Sequence, residues 1–569
     1  MLIEARTVPD ALQEPALRWW RGARFTIGWK GHCVFGRREA GAATMAALAA
    51  ALERRPLAEL CGELLGVFGL FVWDRRTGTW QVACDNAGFY KIFHDEQRVG
   101  TDFLALAAAR GARAAEIPAE AMLEFVAHGG LFGGRTFLPE VQELAAHEVL
   151  LLGPPAPGRP GLRRVKKRLD EPATVEPDFL LDHFDRLVPS LRPRRLSLDL
   201  TGGFDSRLLA ALASHHGLVF EAATSGEPGS PDVAIARRAA AVLGVPLHVT
   251  RQHGLDRLEA ELPRIFAEGG GLTDVYKFHR DRAVALARLA RGIELFLHGA
   301  AGAIYKDFFV HHEFPFYHRT EPDLARFYRL RVAPVQLPAA CLTPWGRELH
   351  RAIVARTLER FAVQRAATNH ATYDRIAYFV RAPEDYGHQL SSYVNLGLDV
   401  VAPLAEHGNV VRGIRLSSWS RCMHGFHRRL ITRLRPDLAA LLTTDGYSAS
   451  TALAHLPGDL LGYGRNELRR ALDKASQRLI GRRLWGKAGD RQLNAPDFVD
   501  RLRATRQFEA ALELFQARGI LAPGLRPEQV REPHVGRMIT VGMCVAAFDA
   551  AGGARAGAAR RGVAVAASS

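Results

Sequence analysis

Residues 196–213 read LSLDLTGGFDSRLLAALA. A short apolar run gives way to two glycines, then to Asp205, Ser206 and Arg207, then to apolar residues at helical spacing. The stretch predicts a strand, a tight turn and a helix. Gly202 and Gly203 let the backbone curl and approach a ligand with no Cβ in the way. N–H groups converging just ahead of a helix start form a nest for anions. Thr201 and Ser206 offer hydroxyl donors to phosphate oxygens, whereas the Asp205 carboxylate repels phosphate unless a Mg2+ lies between them. The same residues also suit a plain turn in which Asp205 or Ser206 caps the helix. Arg207 either neutralises phosphate or faces solvent.

Outward from this turn the text alternates. RLSLDL is followed by SRLLAALASHH, then LVFEAAT, PDVAIARRAAAVLG and PLHVT, the order of a parallel sheet with crossover helices. Upstream, RFTIGWKGHCVFG, GVFGLFVWDRRTGTWQVACD and HEVLLLGP read as short strands broken by turns, with helical patterns between them. Residues 154–177 are rich in Pro, Gly and charge and read as an interdomain linker. Beyond Phe308 the chain becomes largely helical, and residues 550–569 form a low-complexity Ala/Gly/Arg tail.

With 569 residues the chain is expected to form several cores. There is no uninterrupted apolar run long enough to span a bilayer and no secretory order at the start, so a cytoplasmic, non-membrane protein is expected. The six cysteines are scattered and form no CxxC pair, which suits a reducing compartment and argues against zinc. The net charge of +15 is carried mostly by arginine. Its densest run, residues 465–491, reads as a solvated amphipathic helix or, alternatively, as an anion site.

LTGGFDSR resembles the SGGxDS pyrophosphate loop of the ATP pyrophosphatases, and within them the asparagine synthetase family. TSGEPGSPDVAIARRAAAVLGVPLHV, residues 224–249, is similar to that family's adenine-side segment. ELFLHGAAGAIYKDFF, residues 294–309, is similar to its third nucleotide element, and NLGLDVVAPLAEHGNVV, residues 395–411, to its E-x-R-x-P-F-L-D segment, with Asp399, Pro403, Leu404 and Glu406 in register. Residues 64–94 and 129–152 resemble the family's class II glutamine amidotransferase domain.

The resemblance implies a mixed α/β and α+β chain. Residues 1–153 would form an Ntn-hydrolase-like αββα sandwich. Residues 178–549 would form a doubly wound parallel-sheet, adenine-nucleotide α-hydrolase-like (PP-loop) domain with a helical C-terminal part. It implies ATP and Mg2+ as cofactors. Leu200, Thr201, Gly202, Gly203, Asp205, Ser206, Ser225, Gly226, His298 and Gly299 would hold the nucleotide, Asp205 would hold the metal, and Asp205, Lys306 and Asp399 would carry catalysis. Tyr386, Tyr393 and Asp399 fall where the family places acceptor-side groups, although ordinary core packing and a buried hydrogen bond explain them better.

The sequence also departs from the family. Residue two is Leu2 and no cysteine precedes Cys33, so the glutaminase nucleophile is missing. Lys30, in KGHCVFG, stands where the oxyanion amide belongs. Ala300, Ala303 and Ile304 hold the positions of the family's acidic residues, His298 replaces a serine, and Lys306 or Asp307 is left as a substitute. A cysteine-less amidotransferase domain joined to such a loop resembles lasso-peptide cyclases and β-lactam synthetases. The expected activity is an AMP-forming carbon–nitrogen ligase that adenylates a small-molecule or peptide carboxylate. The donor would be ammonia or an amine, in asparagine or natural-product biosynthesis, and the protein could be a homodimer. The alternatives are a non-catalytic nucleotide-binding pseudoenzyme and a tRNA-modifying PP-loop enzyme. The amidotransferase-like half argues against a nucleic-acid partner.

Overall fold

The computed structural model describes residues 1–569 except 13, 15, 155–160, 170, 172–173, 251–257, 314–320, 481–496 and 567–569. For 312, 474, 477–480 and 551–566 it describes the backbone alone. The chain is mixed α/β, with antiparallel sheets first and one parallel sheet after them.

In the N-terminal half, six antiparallel strands pair in the spatial order Leu162–Lys166, Glu148–Leu152, Thr79–Cys84, Phe68–Asp74, Phe25–Gly31, Arg18–Arg21. Strand alternation divides their side chains between two faces. Ile27, Trp29, Leu70 and Val72 pack with Met45, Leu48 and Leu57 of two helices. Phe71, Trp80, Val82 and Leu150 share a second apolar cluster with Ile3 and Val99 of a four-stranded sheet. Residues 154–177 are not linker throughout: Leu162–Lys166 pairs along its whole length with Glu148–Leu152. This edge strand carries three of its five residues as Arg or Lys, so an apolar pattern could not reveal it.

The parallel sheet comprises β1 (Leu196–Asp199), β2 (Phe220–Ser225), β3 (Leu247–Thr250), β4 (Leu295–Leu297) and β5 (Asp399–Val401). Its spatial order is β3-β2-β1-β4-β5 and every pairing is parallel. The strand order reverses direction at β1, so the crevice beyond the carboxyl ends of β1 and β4 is the switch point where such sheets take ligands. Helix α1 (Phe204–His215) leaves β1 and α2 (Pro231–Leu243) leaves β2. Leu208, Leu209, Leu212 and Ala213 of α1 are buried at 1% exposure or less, which fixes the helix start against the sheet.

Polar ties cross between the halves. Arg18 forks onto Asp399, with Nη1–Oδ2 at 3.0 Å and Nη2–Oδ1 at 2.9 Å, and Arg194 joins the same carboxylate at 3.1 Å. Lys30 donates to Asn395 Oδ1 at 3.1 Å and pairs with Glu14. The Gly66 N–H donates to Glu406 Oε1 at 2.7 Å. Gly66 has φ +106°, and a Cβ there would lie 2.0 Å from the His32 carbonyl oxygen, so only glycine fits this crossing.

The basic run at 465–491 is described only to Ile480, within a helix over Leu456–Ile480, and the rest lies outside the described residues. It does not keep its apolar residues inward. Leu468 and Leu472 are exposed, while Arg470 reaches His311 Nε2 at 3.0 Å. The expected tail at 550–569 is entered by a helix that runs over Glu532–Ala566, in keeping with its alanine content. Among the described residues no helix is long and apolar enough to cross a membrane.

Burial pushes the Glu406 carboxyl up to about 8, against the Gly66 N–H that favours its ionised form. The folded chain therefore keeps this proton while the unfolded chain releases it near the ordinary value of 4.5. The contribution is fully present below that ordinary value and is lost as pH rises through about 8. Glu406→Gln, which mimics the protonated group, is expected to be close to neutral near about pH 5 and stabilising by on the order of 4 kcal/mol near about pH 9. Urea denaturation at the two pH values measures it.

Candidate active site

The turn after β1 lies at the switch point, and its polar groups are already engaged with one another. Thr201 N–H donates to Ser206 Oγ at 3.1 Å, the two hydroxyls lie 3.0 Å apart, and Gly203 N–H donates to Thr201 Oγ1 at 3.2 Å. Gly202 N–H donates to Asp232 Oδ1 at 3.1 Å, which ties the first turn of α2 to the loop. A Cβ on Gly202 would lie 2.2 Å from Thr444 Cγ2 and 2.9 Å from Asp232 Oδ1. Thr444 N–H in turn donates to the Gly202 carbonyl at 3.0 Å. Arg207 is neither a phosphate ligand nor a surface residue. It is fully buried and donates to the carbonyls of Leu441 at 2.6 Å and Leu442 at 3.0 Å.

Asp205 opens α1 and points across the crevice. Lys306 Nζ donates to Asp205 Oδ2 at 2.8 Å, and His427 Nε2 lies 2.8 Å from Oδ1. His427 sits on α3 (Gly425–Leu434) and is fully buried. Burial alone would raise the Asp205 pKa, but the Lys306 ammonium and His427 overcome it and hold the carboxyl well below the ordinary range. Burial pushes His427 down in spite of the carboxylate beside it. Next to it, His424 has φ +58°, stacks on Phe204 at 4.1 Å and places Nδ1 2.5 Å from the Tyr447 hydroxyl. Burial also lowers His424.

The other candidates divide. Leu200 is fully buried and its N–H donates to Ala223 O at 2.8 Å, so it carries the loop rather than a ligand. Ser225 ends β2 and Gly226, with φ +144°, follows it, both at the carboxyl edge of the sheet. His298 follows β4, accepts from Ala300 N–H at 3.1 Å through Nδ1, and is pushed by burial to about 4. Gly299 would tolerate a Cβ, its nearest neighbour being Asp205 Cβ at 3.7 Å, whereas a Cβ on Gly302 would lie 2.3 Å from Asp205 Cγ. Close approach is thus required at Gly302. Asp399 lies outside the cluster: it starts β5, opposite Leu295, at the amino end of the sheet and in the grip of two arginines. Tyr386 packs its ring on His298 at 5.9 Å, while Tyr393 is buried and accepts from Gln389 Nε2 at 2.8 Å.

At a phosphate site Mg2+ takes one or two carboxylates, with phosphates and water completing its shell, and the turn offers Asp205 alone, already paired with Lys306. Ala300 and Ile304, where the family carries acids, are packed in the core at 1% exposure. Asp307 turns to His370, 3.5 Å from its Nε2, Asp232 is taken by Gly202, and Asp199 is paired with Arg288. That leaves Asp205, flanked by an ammonium and an imidazole nitrogen. A dication about 4 Å from the ammonium would be repelled by several kcal/mol at intermediate dielectric. These residues do not fit Mg2+. Among the described residues the cluster close enough to hold a metal is Glu143, Glu384 and His388, where Lys91 Nζ already lies 2.6 Å from Glu143 Oε2.

In the N-terminal half, Lys30 and Lys91 line a cavity of about 210 Å3 together with Glu14, Thr101, Asp102 and His388. Cys33 is fully buried and desolvation drives its thiol far above the ordinary value, so it is no nucleophile.

A parallel sheet ordered 3-2-1-4-5 with a glycine turn at its switch point is the architecture of an adenine-nucleotide α-hydrolase-like domain. Residues 192–410 match the family model described as Asparagine synthase. The chain carries an asparagine synthase domain of the ATP-pyrophosphatase type over that stretch, and members of this family generally use ATP and Mg2+. Among curated proteins, none matches the chain. His424, His427 and the Leu441–Thr444 segment lie beyond the matched residues; the H-G-F-H spacing at 424–427 was the one sequence signal that could have drawn attention to them.

Gly302→Ala is expected to push Asp205 off Lys306 and His427, costing about 1–3 kcal/mol and weakening nucleotide binding. Gly299→Ala, by contrast, should leave stability within about 0.5 kcal/mol of the parent. Chemical denaturation and nucleotide titration of the two variants check the contrast.

Proposed function

We propose that the chain is an ATP-dependent amide ligase that adenylates a carboxylate and passes the acyl group to ammonia or to an amine. The observation that carries this reading is the Thr201–Ser206 turn at the switch point of an asparagine synthase domain. The substrate carboxylate attacks the α-phosphorus of ATP, an acyl-adenylate forms and pyrophosphate leaves. The amine then attacks the acyl carbon and AMP leaves with the electron pair of the C–O bond. Thr201, Ser206 and Gly203 exchange their mutual hydrogen bonds for bonds to the departing phosphates, and the start of α1 adds its positive end. Lys306 faces the charge that builds on the leaving group. Ser225, Gly226 and His298 border the same crevice and suit the nucleoside side.

The N-terminal half supports a reading without glutaminase. Cys33 is buried and protonated, and Lys30 is paired with Glu14 and Asn395, so neither of these two residues is placed to serve as nucleophile or oxyanion donor. Its sheets and helices are in keeping with an Ntn-hydrolase-like sandwich used as scaffold. The acceptor is a small-molecule or peptide carboxylate. A second reading, nucleotide binding without turnover, is favoured by the burial of Ala300 and Ile304 where the family carries acids beside Asp205.

With labelled pyrophosphate and a panel of carboxylates, the ligase reading expects label to enter ATP only with the matching acid, and AMP rather than ADP as product. Nucleotide binding with no exchange across the panel would favour the second reading.

A further inference from the structure

Resting on the ligase reading's assignment of phosphates to the 201–206 turn, we infer that this chain binds the polyphosphate of its nucleotide without a divalent cation, with Lys306 supplying the positive charge. Three observations carry the inference. The acids that would share a metal with Asp205 are Ala300, Ala303 and Ile304, of which Ala300 and Ile304 are sealed in the core. The ammonium already sits at the carboxylate, 2.8 Å from Oδ2, with 16% of its side chain exposed. His427 lies at the other oxygen, 2.8 Å from Oδ1.

This arrangement works as a holder and a mover. An ammonium has three donors, and when a phosphate enters, Lys306 shares them between Asp205 and the ligand. His427, wedged in the interior, keeps Asp205 in place while this happens. Asp205 is then a positioning residue for Lys306 and not a metal ligand. The carboxylate weakens the site by repelling phosphate, which gives the inference an unusual sign: removing its charge improves anion binding.

The probes are ATP and inorganic pyrophosphate, titrated calorimetrically into the full chain in EDTA and again with excess Mg2+. The expected result is ATP binding in EDTA within about threefold of that with Mg2+. Lys306→Met should lose about tenfold or more under both conditions, and Lys306→Arg should retain most of the affinity. Asp205→Asn, which keeps the side chain's shape, should bind pyrophosphate in EDTA more tightly than the parent. Thermal unfolding of each variant separates lost binding from lost fold. Binding that needs Mg2+ and disappears in Asp205→Asn overturns the inference and leaves the ligase reading standing. If neither probe binds the folded parent under either condition, the ligase reading falls and the inference falls with it.

Discussion

A single carboxylate organises the crevice. Asp205 is half-buried, with its carboxyl held well below the ordinary range by Lys306 at Oδ2 and His427 at Oδ1, both at 2.8 Å. A buried charge is tolerated only when it is paired. The three residues come from the start of α1, the segment after β4, and α3, so their meeting fixes the crevice wall. Gly302 must lack a side chain because Asp205 fills the space, and α3 must pack closely enough to deliver an imidazole. The chemistry argued for this domain rests on that arrangement.

The rest of the molecule serves to keep the sheet ends still. Arg288 is fully buried, stacks over Phe296 at 4.0 Å and pairs with Asp199, which anchors the last residue of β1. At the far edge, Asp399 ties β5 to Arg18 of the antiparallel half, and Lys91 N–H donates to Ser391 Oγ at 3.1 Å. The N-terminal half therefore braces the parallel sheet at its amino ends through Asp399 and on its flank through Ser391.

Much of this was legible in the order of residues, because the strand–turn–helix at 196–213 and the β/α alternation after it are local patterns. The turn's hydroxyls and glycines announced themselves by type. Lys306 could be named from its place after β4, although not the direction in which it points. Asp399 could be assigned to a strand, but a one-dimensional pattern does not say which end of the sheet a residue occupies. Gly299 drew attention over Gly302 because spacing alone does not show which glycine meets a neighbour. The H-G-F-H spacing marks His427 but not its role, which comes from an approach between residues far apart in sequence. The edge strand Leu162–Lys166 was hidden by charge, and the exposed leucines of the Leu456–Ile480 helix ran against its apparent amphipathicity.

The clamp that Arg207 makes on the Leu441 carbonyl spans 234 residues of chain. During synthesis, α1 leaves the ribosome long before the backbone that it must hold, and before the imidazole that steadies its first carboxylate. Contacts of such sequence separation are slow to form, and domains mature from the N-terminus onward. The nascent chain thus carries the glycine turn without its rear wall until translation has passed Thr444.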